Sequence, residues 1–226
     1  MGAAKTASRQ RAEEIKKQAL AKQRRQSAAI YTGLAVLVLG MIALAFVGIR
    51  NASESNPKNA DLETVSGLGG ASAPPWQLPT DAPGRVEAAG LNLGPMGTAD
   101  HYHAHLDIIV DGEPVPVPEN IGIDPNNGAM SAVHTHTSDG IIHIEAARKG
   151  QTFSLGQLFT QWNVRLTDDQ IGALKAQDGT TLKAFVDGKE VGNPAMIRLS
   201  ERQQIALVYG PADSPVKPPA DFPENL

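Results

Sequence analysis

Apolar and polar positions alternate in different rhythms along the chain and divide it into five segments. Residues 27–49, SAAIYTGLAVLVLGMIALAFVGI, form a run of 23 positions without a charged side chain. At about 1.5 Å per helical residue this run crosses a hydrocarbon core of ~30 Å, so it predicts one transmembrane helix. It exceeds the usual apolar region of a signal peptide, roughly 7–15 residues, and no A-x-A site follows it, which favours a retained anchor over a cleaved leader. Residues 50–98 carry six Pro and seven Gly with neither helical nor strand periodicity. They predict a Pro/Gly-rich tether with an r.m.s. span of roughly 40 Å if flexible. Residues 99–210 show the pattern of a folded domain. The last segment, 211–226, contains five Pro and predicts a tail.

Within 99–210, period-two runs predict strands at 102–110, 114–118, 131–137, 140–147, 181–187, 189–191 and 204–209. Four Asp-Gly pairs, at 111–112, 139–140, 178–179 and 187–188, punctuate these runs as hairpin turns do. Ser154 followed by Gln157 forms a capping-box pattern ahead of Leu155, Leu158, Phe159 and Trp162, which share one helical face. Thr167 and Gln170 repeat the pattern before Ile171 and Leu174, predicting a second helix. The expected class is α+β, a mainly antiparallel sheet with two short helices, preceded by one transmembrane helix. In the tether, Trp76 between prolines has two readings: an aromatic anchor offered to a partner, or a side chain packed back on its own domain.

The formal charge of −4 conceals an asymmetry. Residues 1–26 hold eight Lys/Arg against two acids, leaving twelve and twenty-two in the remainder. Good helix formers in 8–26 make this head a basic helix, and its charge places it on the cytoplasmic side of the span. The expected topology is a single-pass cell-membrane protein with residues 1–26 cytoplasmic and 50–226 extracytoplasmic. The membrane is the partner these features imply, and no nucleic acid is expected. With no cysteine in the chain, disulfides, thiolate metal ligands and a Cys nucleophile are excluded.

All six histidines lie in two short stretches, HYHAHLDIIVDG at 101–112 and VHTHTSDGIIHIE at 133–145. In a strand, alternate side chains share a face, so His101, His103, His105 and Asp107 point one way while Tyr102, Ala104, Leu106, Ile108 and Val110 point into the core. Same-face neighbours stand about 6.6–7 Å apart, a spacing from which imidazoles converge on one ion. His134 and His136 alternate with Val133, Thr135 and Thr137. Beyond the Asp139-Gly140 turn, His143 and Glu145 oppose Ile142 and Ile144. If the second stretch forms a hairpin beside the first, His101, His103, His105, His134, His136, His143, Asp107 and Glu145 make one candidate metal cluster. Neutral imidazole suits Zn, Cu, Ni and Fe, and copper or zinc is the expected cofactor. Because the neutral ring is the ligand, affinity is expected to fall as pH drops through roughly pH 6–7. The alternative is a solvated sheet face on which His merely fills polar positions.

H-x-H followed by a carboxylate is similar to the cupins, a likeness that implies a metalloenzyme. The sequence departs from that pattern, because the Glu that cupins place soon after the second His is missing after both His105 and His136. No Ser-centred elbow, phosphate loop or paired-acid motif is present, so no catalytic residue is assigned and the protein is not expected to be an enzyme. Taken together, HxHxHLxIxxDG, NIGI at 120–123, HTHTSDGIIHIE, FSLGQLFTQW and the closing FVDGKEV…IALVYG resemble a group of uncharacterised single-pass extracytoplasmic proteins of actinobacteria and archaea. That resemblance spans about 100–210 and implies a domain boundary, not an activity. The single-span layout and Ala/Gly-rich composition are also similar to accessory subunits of actinobacterial respiratory supercomplexes. The expected function is a non-enzymatic, membrane-anchored accessory subunit or assembly partner of a larger membrane complex, such as a respiratory one. A stand-alone copper/zinc-binding or delivery protein and a cupin-like metalloenzyme are the alternatives.

Overall fold

The computed structural model describes residues 68–213, 218–219 and 221–223. The predicted basic head and transmembrane span lie outside these residues, and among the described residues no helix is long and apolar enough to cross a membrane.

The order of elements is α1 (Ala82–Ala88), β1 (Asp100–Val110), β2 (Glu113–Val115), β3 (Val133–His134), β4 (Ile141–Ala146), α2 (Leu155–Trp162), β5 (Gln170–Ile171), β6 (Leu174–Lys175), β7 (Thr180–Val186), β8 (Lys189–Val191), a 3-10 turn (Pro194–Met196) and β9 (Gln203–Pro211). The main sheet has seven strands in the order β3-β4-β1-β9-β7-β8, with β2 on the second half of β1. Every pairing in it is antiparallel except β1 with β9, which run parallel. Among the described residues the fold is therefore α+β with two helices. The Asp-Gly pairs at 111–112 and 187–188 close the β1–β2 and β7–β8 hairpins, both residues of each at positive φ, as a type I′ turn requires.

One face of the sheet carries the core. Ala104, Leu106 and Ile108 of β1, Ile142 and Ile144 of β4, and Ile205 and Leu207 of β9 pack against Leu155, Leu158, Phe159 and Trp162 of α2. The predicted capping box forms: Ser154 Oγ accepts from Gln157 N at 3.3 Å and Gln157 Oε1 accepts from Ser154 N at 3.0 Å. All eight residues of α2 are buried, because a second layer covers its outer side.

That layer comes from residues 68–98, which the sequence assigns to the tether. Trp76 is 4% exposed and meets Trp162 edge-on with ring centroids 5.6 Å apart. Arg85 donates to the Thr160 carbonyl at the end of α2, and Gln157 Nε2 donates to the Ala89 carbonyl at 3.1 Å. The folded domain thus begins by residue 68, not at 99. The segment looks like a tether because its anchors, Trp76, Ala82, Val86 and Ala89, are too few and too irregularly spaced to show a period, yet each is buried. At the other end, Phe222 of the Pro-rich tail lies beneath the Arg202 guanidinium, 4.8 Å from its centre.

The predicted second helix is absent. Thr167 and Gln170 lead instead into the two-residue hairpin β5–β6, with Gly172 at φ 56° between Ile171 and Leu174. The Thr167 hydroxyl bonds the Asp169 carboxylate at 2.8 Å and serves a turn, not a helix N-cap. A left-handed glycine after so few residues leaves no length over which a helix nucleus is repaid. The second helix is α1, capped by Asp81, which accepts from Gly84 N at 2.9 Å.

Candidate metal centre

Opposite the core, strand register builds a polar cluster. In the β1–β4 pairing His103 stands against His143 and His101 against Glu145; in the β3–β4 pairing His134 stands against His143. Residues directly opposite in an antiparallel pair share a face with Cβ atoms about 4.5–5.5 Å apart, so His134, His143 and His103 form a row across three adjacent strands.

His136 joins the row because the predicted strand 131–137 breaks after His134. Thr135 turns away from β4: its hydroxyl donates to the Pro118 carbonyl at 2.8 Å and accepts from Ile121 N at 3.0 Å, and its carbonyl accepts from Asn120 N. The kink brings His136 Nε2 to 3.1 Å from His134 Nε2, and its ring to a centroid distance of 4.6 Å from His143. His103 Nε2 lies 3.0 Å from His143 Nδ1. Two ligand nitrogens on one tetrahedral zinc, at bonds of about 2.05 Å, stand about 3.3 Å apart. Both pairs are therefore within a few tenths of an ångström of ligating separation.

His134 is fully buried and its tautomer is fixed. Nδ1 lies 2.8 Å from the Ser131 carbonyl, which only accepts, so Nδ1 carries the proton and the Nε2 lone pair faces His136. A backbone carbonyl holding the far N–H is the arrangement that orients a metal-ligating imidazole. Glu145 is 7% exposed; Oε1 lies 3.6 Å from His101 Nε2, and Oε2 has no hydrogen-bond partner. A buried carboxylate oxygen without a partner is costly, and a bound cation would supply the missing one.

Two overlapping donor groups result. His134, His136, His143 and Glu145 have ligand atoms all within 4.8 Å of one another, and so do His101, His103 and His143. This His/Glu cluster can hold a metal ion. Burial lowers the pKa of His134, His103 and His143, and neighbouring imidazoles press the same way. His143, at the centre, is pushed down to about 4. His143 is therefore neutral near pH 6–7, and proton competition at all three rings sets in lower than for unperturbed histidines.

His105 and Asp107, though on the same face of β1, stand apart from the cluster. His105 pairs in register with Ile141 on one side and Gln204 on the other. Its Nδ1 lies 2.8 Å from Gln204 Oε1 and its Nε2 2.8 Å from the Asp139 carbonyl, so both ring nitrogens face these oxygens and not the cluster. Gln204 Nε2 donates to Asp107 Oδ2 at 2.8 Å, which engages that carboxylate as well. Gln204 and the Ser131 carbonyl are the site partners that sequence reasoning missed. The signal for Gln204 was a polar pair, Gln203-Gln204, opening an otherwise apolar strand. A backbone carbonyl leaves none. No protein-family model, curated protein or solved structure matches this chain.

Proposed function

We propose that the chain is a non-enzymatic, membrane-anchored module that holds Cu(II) or Zn(II) outside the membrane as an accessory subunit or assembly partner of a larger membrane complex. The observation that carries the metal reading is the convergence of four donors, from His134, His136, His143 and Glu145, within 4.8 Å of one another, where Glu145 is buried with Oε2 unpartnered and the His134 Nε2 lone pair faces His136. Three imidazoles and a carboxylate are borderline ligands suited to copper or zinc. Four protein ligands also fill a tetrahedral shell, as in closed structural sites, where catalytic sites keep a position open. The sheet is open, with β3 and β8 at its edges, which speaks against a cupin-like barrel.

The anchor and the accessory role rest on the apolar span, the basic head and the resemblance of the layout. Protease added to spheroplasts should digest an epitope at Leu226 and spare one at Met1; the reverse would refute the topology. Extraction in mild detergent followed by mass spectrometry tests the partner: stoichiometric co-purification with a membrane complex supports the accessory role, and a free monomer refutes it. Delivery by a stand-alone protein draws support from the exposure of His101 and His136, which leaves the donors within reach of an acceptor.

A further inference from the structure

His143 belongs to both donor groups, and its place in the sheet decides how one ring serves two. It sits on the middle strand of three, with His134 on one side and His103 on the other. Nδ1 is turned toward β1, 3.0 Å from His103 Nε2. In an imidazole ring Nδ1 and Nε2 lie on opposite sides of the axis through Cβ and Cγ, so with Nδ1 facing β1 the Nε2 edge faces β3. That is the side of His134 and His136, whose rings lie 5.5 and 4.6 Å from that of His143.

We infer that the cluster is a two-ion centre bridged by His143: one divalent copper or zinc ion sits with His134, His136, Glu145 and His143 Nε2, and a second with His101, His103 and His143 Nδ1. The inference rests on the metal-binding reading above. When both ring nitrogens coordinate, two metal–nitrogen bonds form, the remaining N–H bond breaks and its proton passes to solvent; neither ion changes oxidation state. The inner ion has a full set of protein ligands. The outer one has three, and His101 is 55% exposed, so water or a partner's ligand completes its shell and it is the ion that exchanges. The arrangement also explains why an exposed histidine, His101, stands beside the buried Glu145: the carboxylate lies close enough to both positions to balance part of their charge.

The test uses the full-length chain in mild detergent near neutral pH. Native mass spectrometry of the Zn(II)-loaded protein should count two ions. The Cu(II)-loaded protein should lose most of its electron-paramagnetic signal at low temperature relative to its copper content, because copper ions sharing an imidazole couple. His103→Gln, at a half-buried position, should lower the count to one and restore the full signal per copper. No bound ion would refute the metal reading itself. One ion in the wild type would leave that reading standing and overturn the two-ion centre. Two ions with an undiminished signal would overturn the bridge.

Discussion

His134 and His143 face each other across the β3–β4 pair with their rings stacked 12° from parallel, centroids 5.5 Å apart. Two imidazoles this close, one of them fully buried, cannot both charge without repulsion and desolvation, which favours the neutral form of this pair. Neutral rings are metal ligands, and the consequences can be measured.

The metal-free protein should lose stability as pH falls from about 6.5 to about 4. His143 titrates near 6.5 in the unfolded chain and is pushed down to about 4 in the folded one. Between those values the unfolded chain binds more protons, so the contribution is present above 6.5, is lost as pH drops through the window, and changes no further below 4. His134 and His103, lowered by the same causes, add in the same direction. Thermal melts across this range should show the decline, and it should flatten in His143→Gln.

His105 and His103, two residues apart on one strand face, should behave differently. His105→Ala removes bonds to the Asp139 carbonyl and Gln204 and should cost roughly 1–3 kcal/mol of stability with metal affinity unchanged. His103→Ala should weaken metal binding. Equal effects of the two on metal affinity would mean that the division of the histidine row is wrong.

Gly140 fixes the turn between the two histidine strands. It lies at φ 83°, and a Cβ there would come within 2.4 Å of the Leu106 carbonyl oxygen. Gly140→Ala should destabilise by roughly 1–3 kcal/mol and, by shifting His143 relative to His103, weaken metal binding as well. Chemical denaturation and calorimetry of the one variant check both.

Trp76→Ala should cost about 3–5 kcal/mol, the usual loss for a buried aromatic, although the residue stands 25 positions before the first histidine. A truncation beginning at residue 99 should likewise unfold more easily than one beginning at 68. Matching melts for the two truncations would return residues 68–98 to the role of a tether.

Much of the sheet and the location of the cluster were legible because period-two alternation assigns faces locally. Leu106 and Ile108 against His103 and His105 needs no knowledge of neighbouring strands. What alternation does not carry is register, and register selects the ligands. His105 is withdrawn by Gln204, 99 residues away on a parallel strand that no local signal pairs with β1. His136 is brought in by a kink whose cause, the bonding of Thr135 to the 118–121 loop, is equally non-local. The second helix failed for the opposite reason: Thr167 and Gln170 match a cap locally, but a three-residue spacing of Ile171 and Leu174 suits a tight hairpin as well as a helical face.

Calorimetric titration of the full-length chain with Zn(II) and Cu(II), beside the double variant His134→Gln/His143→Gln, decides whether these histidines hold a metal ion. The wild type should bind well below about 0.1 mM, the level that loosely placed surface histidines reach (~5.5 kcal/mol), and the double variant should lose at least about tenfold in affinity. Wild-type binding no tighter than about 0.1 mM, or equal binding by the folded double variant, would contradict the metal reading.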